Sequence, residues 1–193
     1  MGVEASFFEE EVRCDHLITK EMKKVWAAEM NILEEFDKIC SAHHLRYYVA
    51  YGTLLGAVRH QGFIPWDDDI DVWMFREDYE TLKKIAAQEV RAPYFFQDTY
   101  TDTMLWAFSK IRDSRTTAIE NFNIPKSFNQ GMFIDIFPLD DVPDDINHKK
   151  YILDLQREIW MTMIRTEDMK GLLADGYEFK CGADVISDCE LPE

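Results

Sequence analysis

Apolar residues recur at helical intervals between about residues 15 and 44. Val25, Trp26, Met30, Leu33, Phe36, Ile39 and Cys40 are interleaved with Lys and Glu, a pattern that predicts a long amphipathic helix laid on a core. The period then changes. Residues 45–51 alternate and are rich in aromatic and β-branched side chains, which predicts a strand, and residues 53–60 read as a short helix ended by Gly62 and Pro65. In Asp69-Ile70-Asp71-Val72 acids alternate with branched apolar residues. A strand there turns both carboxylates to one face and Ile70 and Val72 to a core. Residues 76–91 return to helical spacing, and Pro93 stops them. Further strands are expected at 94–97, 105–112, 116–120 and 132–137. A polar loop is expected at 121–131, an acidic loop at 138–147 and a helix at 148–169.

Composition narrows the classes this pattern allows. Hydrophobic residues make up 47% of the 193 and aromatics 13%, enough to build a core, so disorder is not the default. The formal net charge of −16, from 37 acidic and 21 basic residues, argues against nucleic acid, which requires a basic face. Cys14, Cys40, Cys181 and Cys189 lack C-x-x-C spacing and read as free thiols of a reducing compartment. No apolar run reaches the length needed to cross a bilayer. The first six residues fit a myristoylation pattern formally, but the acids that follow weigh against a membrane signal. The expected location is cytoplasmic, the inner face of the membrane included.

The candidate chemistry lies in residues 51–74, YGTLLGAVRHQGFIPWDDDIDVWM. Two like charges on one strand face repel unless a cation lies between them, so Asp69 and Asp71 call for a divalent metal. Hard oxygen ligands favour Mg2+ or Mn2+. Asp67 and Asp68 are further ligand candidates, and Asp68 serves equally well as a turn cap. Asp135, between Ile134 and Ile136, would be costly to bury unpaired, and the same metal is its expected compensation, as third ligand or general base. Arg59 is the nearest cation for a donor phosphate, since its fork suits bidentate contact, with a surface ion pair as the alternative. Lys110 and Arg112 share a strand face and either supply further positive charge or stand as ordinary exposed cations.

The string GTLLGAVRHQGFIPWDDDIDV, followed by Arg76-Glu77-Asp78-Tyr79 and by Phe133-Ile134-Asp135-Ile136-Phe137-Pro138-Leu139-Asp140, resembles the LicD family of phosphotransferases, to which fukutin-related proteins also belong. The resemblance implies an α+β fold, a nucleotidyltransferase-like mixed β-sheet core flanked by helices. It implies Asp69 and Asp71 as metal ligands, Asp135 as the third catalytic acid, and Gly52 and Thr53 as a phosphate-cradling turn. It also implies transfer of a phospho-alcohol such as phosphocholine or phosphoribitol from a CDP-linked donor, CDP-choline for example, to a sugar hydroxyl of a cell-surface glycan, teichoic acid or lipopolysaccharide precursor. Two alternatives stay open: a nucleotidyltransferase that leaves NMP on its acceptor, and an inactive module that binds metal or nucleotide. The expected organisation is an N-terminal tail at 1–14, a catalytic domain at 15–170 and an unassigned acidic segment at 171–193, as in a truncated or atypical member.

Overall fold

The computed structural model describes residues 4–102, 107–118 and 129–164. The chain divides into two compact units, residues 1–120 with 125–140, and residues 121–124 with 141–193. Within the second, the described element is helix α4, Ile146–Ile164, where Asp145 Oδ2 accepts a bond from the His148 N–H at 2.8 Å.

The first unit opens with a 3-10 turn, Ala5–Phe8, and a hairpin of β1, Glu11–Arg13, and β2, His16–Ile18. Cys14 and Asp15 both have positive φ, 52° and 57°, the signature of a two-residue turn whose twist matches that of the flanking strands. The predicted first helix therefore begins later than residue 15. Helix α1 runs Lys20–Ala42, and the Thr19 hydroxyl caps it by accepting from the Met22 N–H at 3.2 Å. Lys23, buried beneath the hairpin, pairs with Glu11 at 3.1 Å. The stretch read as a tail thus holds the 3-10 turn, strand β1 and an anchor onto α1.

After β3, Tyr48–Val49, come α2, Tyr51–His60, β4, Asp71–Phe75, α3, Arg76–Glu89, β5, Tyr94–Gln97, β6, Ser109–Asp113, and β7, Met132–Leu139. They form a sheet in the order β3-β4-β7-β6-β5, with β4 and β7 parallel and the other neighbours antiparallel. The fold is α+β with a mixed sheet, as expected. The predicted strand 105–112 has its described part in β6, and residues 116–118 are irregular; residues 119–128, with most of the predicted polar loop, and 165–193 lie outside the described residues.

One sheet face makes the core. Ile70, Val72, Met74, Ile111, Ile134 and Ile136 pack with Ile32, Phe36 and Ile39 of α1 and with Tyr79, Leu82 and Ala86 of α3. Because side chains alternate along a strand, seating these residues inward turns Asp71, Trp73, Asp135 and Phe137 to the other face. A one-residue slip would put Asp71 and Asp135 into the core, so burial sets the register. At the far ends of β4 and β7, the Arg76 guanidinium forks onto both Asp140 oxygens, each at 2.6 Å, and this pair joins the two distant motifs noted in the sequence.

Candidate active site

The acids converge through the sheet. Asp71 and Asp135 are register partners on parallel β4 and β7, and Lys110 on β6 is the register partner of Asp135 on its other side. Three adjacent strands therefore set carboxylate, carboxylate and ammonium side by side. Lys110, almost fully buried, lies 2.9 Å from Asp135 Oδ1 and 3.4 Å from the centre of the Phe133 ring. Asp69 falls just before β4 rather than within it, although the Asp135 N–H bond to the Ile70 carbonyl, 2.9 Å, extends the pairing to its neighbour. Burial first, then the charges of Asp69 and Asp135, push the Asp71 carboxyl up to about 7. Asp69 and Asp67 are raised too, chiefly by burial and then by neighbouring aspartates.

The turn residues also have structural tasks in the fold. Helix α2 starts at Tyr51, whose φ of 39° makes the left-handed corner, so Gly52 and Thr53 sit inside the first turn. The Thr53 hydroxyl accepts the Asp71 N–H at 2.8 Å and so locks the start of β4 to α2. Gly52 is required for space, because a Cβ there would strike the Asp67 carboxylate. Gly56 is required for the same reason farther along, where the Gly62 carbonyl closes on it. Gly56→Ala should lower stability by about 1–3 kcal/mol, since that neighbour is backbone and cannot yield. Gly52→Ala should cost less stability and more activity, since it moves Asp67. Urea denaturation beside a turnover assay checks the contrast.

The predicted cations separate. Arg112 is buried, donating to Gln97 Oε1 at 2.5 Å and to the Gly131 carbonyl at 2.7 Å, so it and Lys110 are built-in charges, neither of them an exposed cation. Arg59 stands at the opposite end of α2 from Gly52, roughly 10 Å along the helix axis, where its Nε donates to His60 at 2.8 Å.

One acid of the site escaped the sequence reading. Glu29 of α1 is 2% exposed, and its Oε2 has no partner among the described residues. Burial, then the charges of Asp69, Asp68, Asp67 and Asp135, push its carboxyl up to about 9. Trp26, one turn earlier, donates from Nε1 to the Asp67 carbonyl at 2.8 Å, fastening this helix face to the acidic loop. The signal was present in the spacing: Glu29 interrupts a buried stripe of Trp26, Ile32 and Phe36.

The donor set can be tested against a divalent cation. Among the described residues no three acid, His or Cys side chains are gathered into a ready cage. Mg2+ does not need one, because it keeps waters and is bound by one or two carboxylates completed by substrate phosphates. The neighbouring carboxylates of Asp71 and Asp135, with Asp69 beside them, fit an ion held in that way.

A mixed sheet that presents carboxylates from neighbouring strands, with a Gly-Thr turn locked against one of them, defines a nucleotidyltransferase-like domain. A family model described as LicD/FKTN/FKRP, nucleotidyltransferase domain, matches residues 44–170, and the chain belongs to that family. It is 38% identical over 135 residues to the lipopolysaccharide cholinephosphotransferase LicD of Haemophilus influenzae, a match covering 67% of this chain and 47% of the relative. An uncharacterized Rickettsia prowazekii protein is 31% identical over 124 residues, covering 63% of this chain and 43% of that one. Human ribitol 5-phosphate transferase FKRP is 37% identical over 51 residues, 26% of this chain and 10% of that one. The chain spans about half the length, or less, of the curated relatives it matches. Among the described residues no helix is long and apolar enough to cross a membrane.

Proposed function

We propose that this domain transfers phosphocholine from CDP-choline to a sugar hydroxyl of a glycan such as a lipopolysaccharide or teichoic acid precursor, with Mg2+ or Mn2+. The observation that carries the reading is the register of Asp71, Asp135 and Lys110 on one sheet face, in a chain related to a lipopolysaccharide cholinephosphotransferase. A bound divalent cation supplies neutralisation of the donor's phosphates. Asp71 and Asp69 would hold it, with Asp135, the register partner of Asp71, bordering the same ion. Asp135 takes the proton of the acceptor hydroxyl as the new oxygen–phosphorus bond forms and the bond to the departing CMP breaks. The buried Lys110 ammonium keeps Asp135 in place and offsets charge on a surface otherwise repellent to pyrophosphate. Phosphoryl transfer asks for positioning and charge neutralisation more than covalent help, and these residues provide both.

The test uses two labelled donors, CDP-choline labelled in choline and in cytidine, with Mg2+ and a glycan acceptor. Choline label on the acceptor and cytidine label in free CMP are expected, and EDTA should stop both. Cytidine label on the acceptor would mean nucleotidyl transfer instead. Metal-dependent nucleotide binding without product would mark an inactive module.

A further inference from the structure

The face that carries the acids also carries aromatic rings that phosphoryl transfer does not require. Trp73 and Phe137 are register partners on β4 and β7, two residues beyond Asp71 and Asp135 and so roughly 6.5 Å along the strands. The Tyr51 ring stands nearly perpendicular to both, 5.1 Å and 78° from Trp73 and 5.6 Å and 86° from Phe137. Phe108 lies against the back of Phe137 at 4.5 Å. A plain apolar packing would bury these rings as Val72 and Ile136 on the opposite face are buried, at 0% exposed, yet Tyr51 is 58% exposed. Tyr51 also holds a left-handed backbone, which is unfavourable for a bulky residue and recurs where a site dictates conformation. The buried Trp73 Nε1 has no partner among the described residues, so the indole's hydrogen bond does not explain its placement.

We propose that Tyr51, Trp73 and Phe137 form the seat for a quaternary ammonium group on the transferred alcohol. The inference rests on the phosphotransfer reading above and names the residues that select the alcohol. A trimethylated nitrogen has no N–H to hydrogen-bond and is attracted to the faces of aromatic rings. A polyol placed against the same rings would leave hydroxyls without partners. With the phosphate at the acids, the short ethylene arm of phosphocholine carries its cationic end along the strands toward the rings. The negative charge of the surrounding loop favours a cation there as well.

Calorimetric titration of the whole chain, with Mn2+ present, compares CDP-choline, CDP-ethanolamine and CDP-glycerol. CDP-choline should bind about tenfold more tightly than the other two. Trp73→Leu and Tyr51→Leu, each checked for folding by circular dichroism, should erase that preference. Tyr51 is largely exposed, so its variant remains informative if Trp73→Leu fails to fold. Equal binding of all three nucleotides by the unaltered protein, or a preference that survives in a folded variant, overturns the aromatic seat and leaves the phosphotransfer reading standing. Failure of every CDP-alcohol to bind overturns the reading beneath it as well.

Discussion

Asp71→Asn lowers turnover roughly 10²–10³-fold, the scale found when one charge-stabilising group is removed from a preorganised site, and leaves the fold intact. The loss follows from position. Asp71 opens β4, its N–H is held by the Thr53 hydroxyl, and its carboxylate feels the charges of Asp69 and of its register partner Asp135. The substitution keeps the side chain's shape, so packing is preserved, and it removes one of several mutually repelling charges, so stability should hold or rise. Asp135→Asn should match it in activity, with a larger structural effect because it strips the buried Lys110 ammonium of its 2.9 Å partner. Asp69→Asn should cost activity less than Asp71→Asn, since Asp69 precedes the strand and is less tightly placed. Steady-state rates with circular dichroism and thermal melts on the three variants decide it. Full turnover by Asp71→Asn and Asp135→Asn would remove the acids from the chemistry.

The metal-free protein loses stability as pH rises through neutrality, contrary to the behaviour of proteins whose acids are salt-bridged. Folding raises the Glu29 carboxyl from its ordinary 4.5 to about 9 and the Asp71 carboxyl from 3.8 to about 7. An acid raised in this way favours folding fully below its unfolded value, and that contribution is lost progressively as pH climbs to the folded value. For Glu29 alone the slope approaches 1.4 kcal/mol per pH unit, or about 4 kcal/mol between about pH 5 and about pH 8. That is a large share of a typical domain's stability. Asp113 and Asp140 are held low by Arg115 and Arg76 respectively; their loss comes only on acidification below the usual carboxylate range, outside this window. Urea midpoints in EDTA should therefore fall across the window, and Glu29→Gln should flatten most of the fall. A midpoint that is level or rising over the same range would mean that Glu29 is solvated.

Several features of the fold are legible in the amino-acid sequence alone. The helical stripe of Trp26, Phe36 and Ile39 placed α1 on the core, and the alternation of Asp69, Ile70, Asp71 and Val72 said which side chains would point outward, because strand and helix periods are local geometry. The long motif around the aspartates was specific enough to name the family. Boundaries were harder to place. The hairpin of residues 11–18 is held by a turn at Cys14 and Asp15 and by the buried Lys23–Glu11 pair, and none of these announces itself in a polar stretch. The motif also concealed a division of labour, for the tight corner belongs to Tyr51 while Gly52 makes room for Asp67.

What the chain determined by itself is its elements, the inward and outward sides of its strands, and its family, all of which depend on residues close together in sequence. Only the tertiary structure decided which distant groups share a site. Asp71 and Asp135 became neighbours through a parallel pairing across more than sixty positions. Lys110 arrived from a third strand, Glu29 from a helix on the core side, and Trp73 and Phe137 came together two residues farther along the same register. The physical reason is that strand register is chosen by the burial of Ile70, Val72, Ile134 and Ile136 on the far face. The charged and aromatic residues opposite are carried into place by packing in which they take no part.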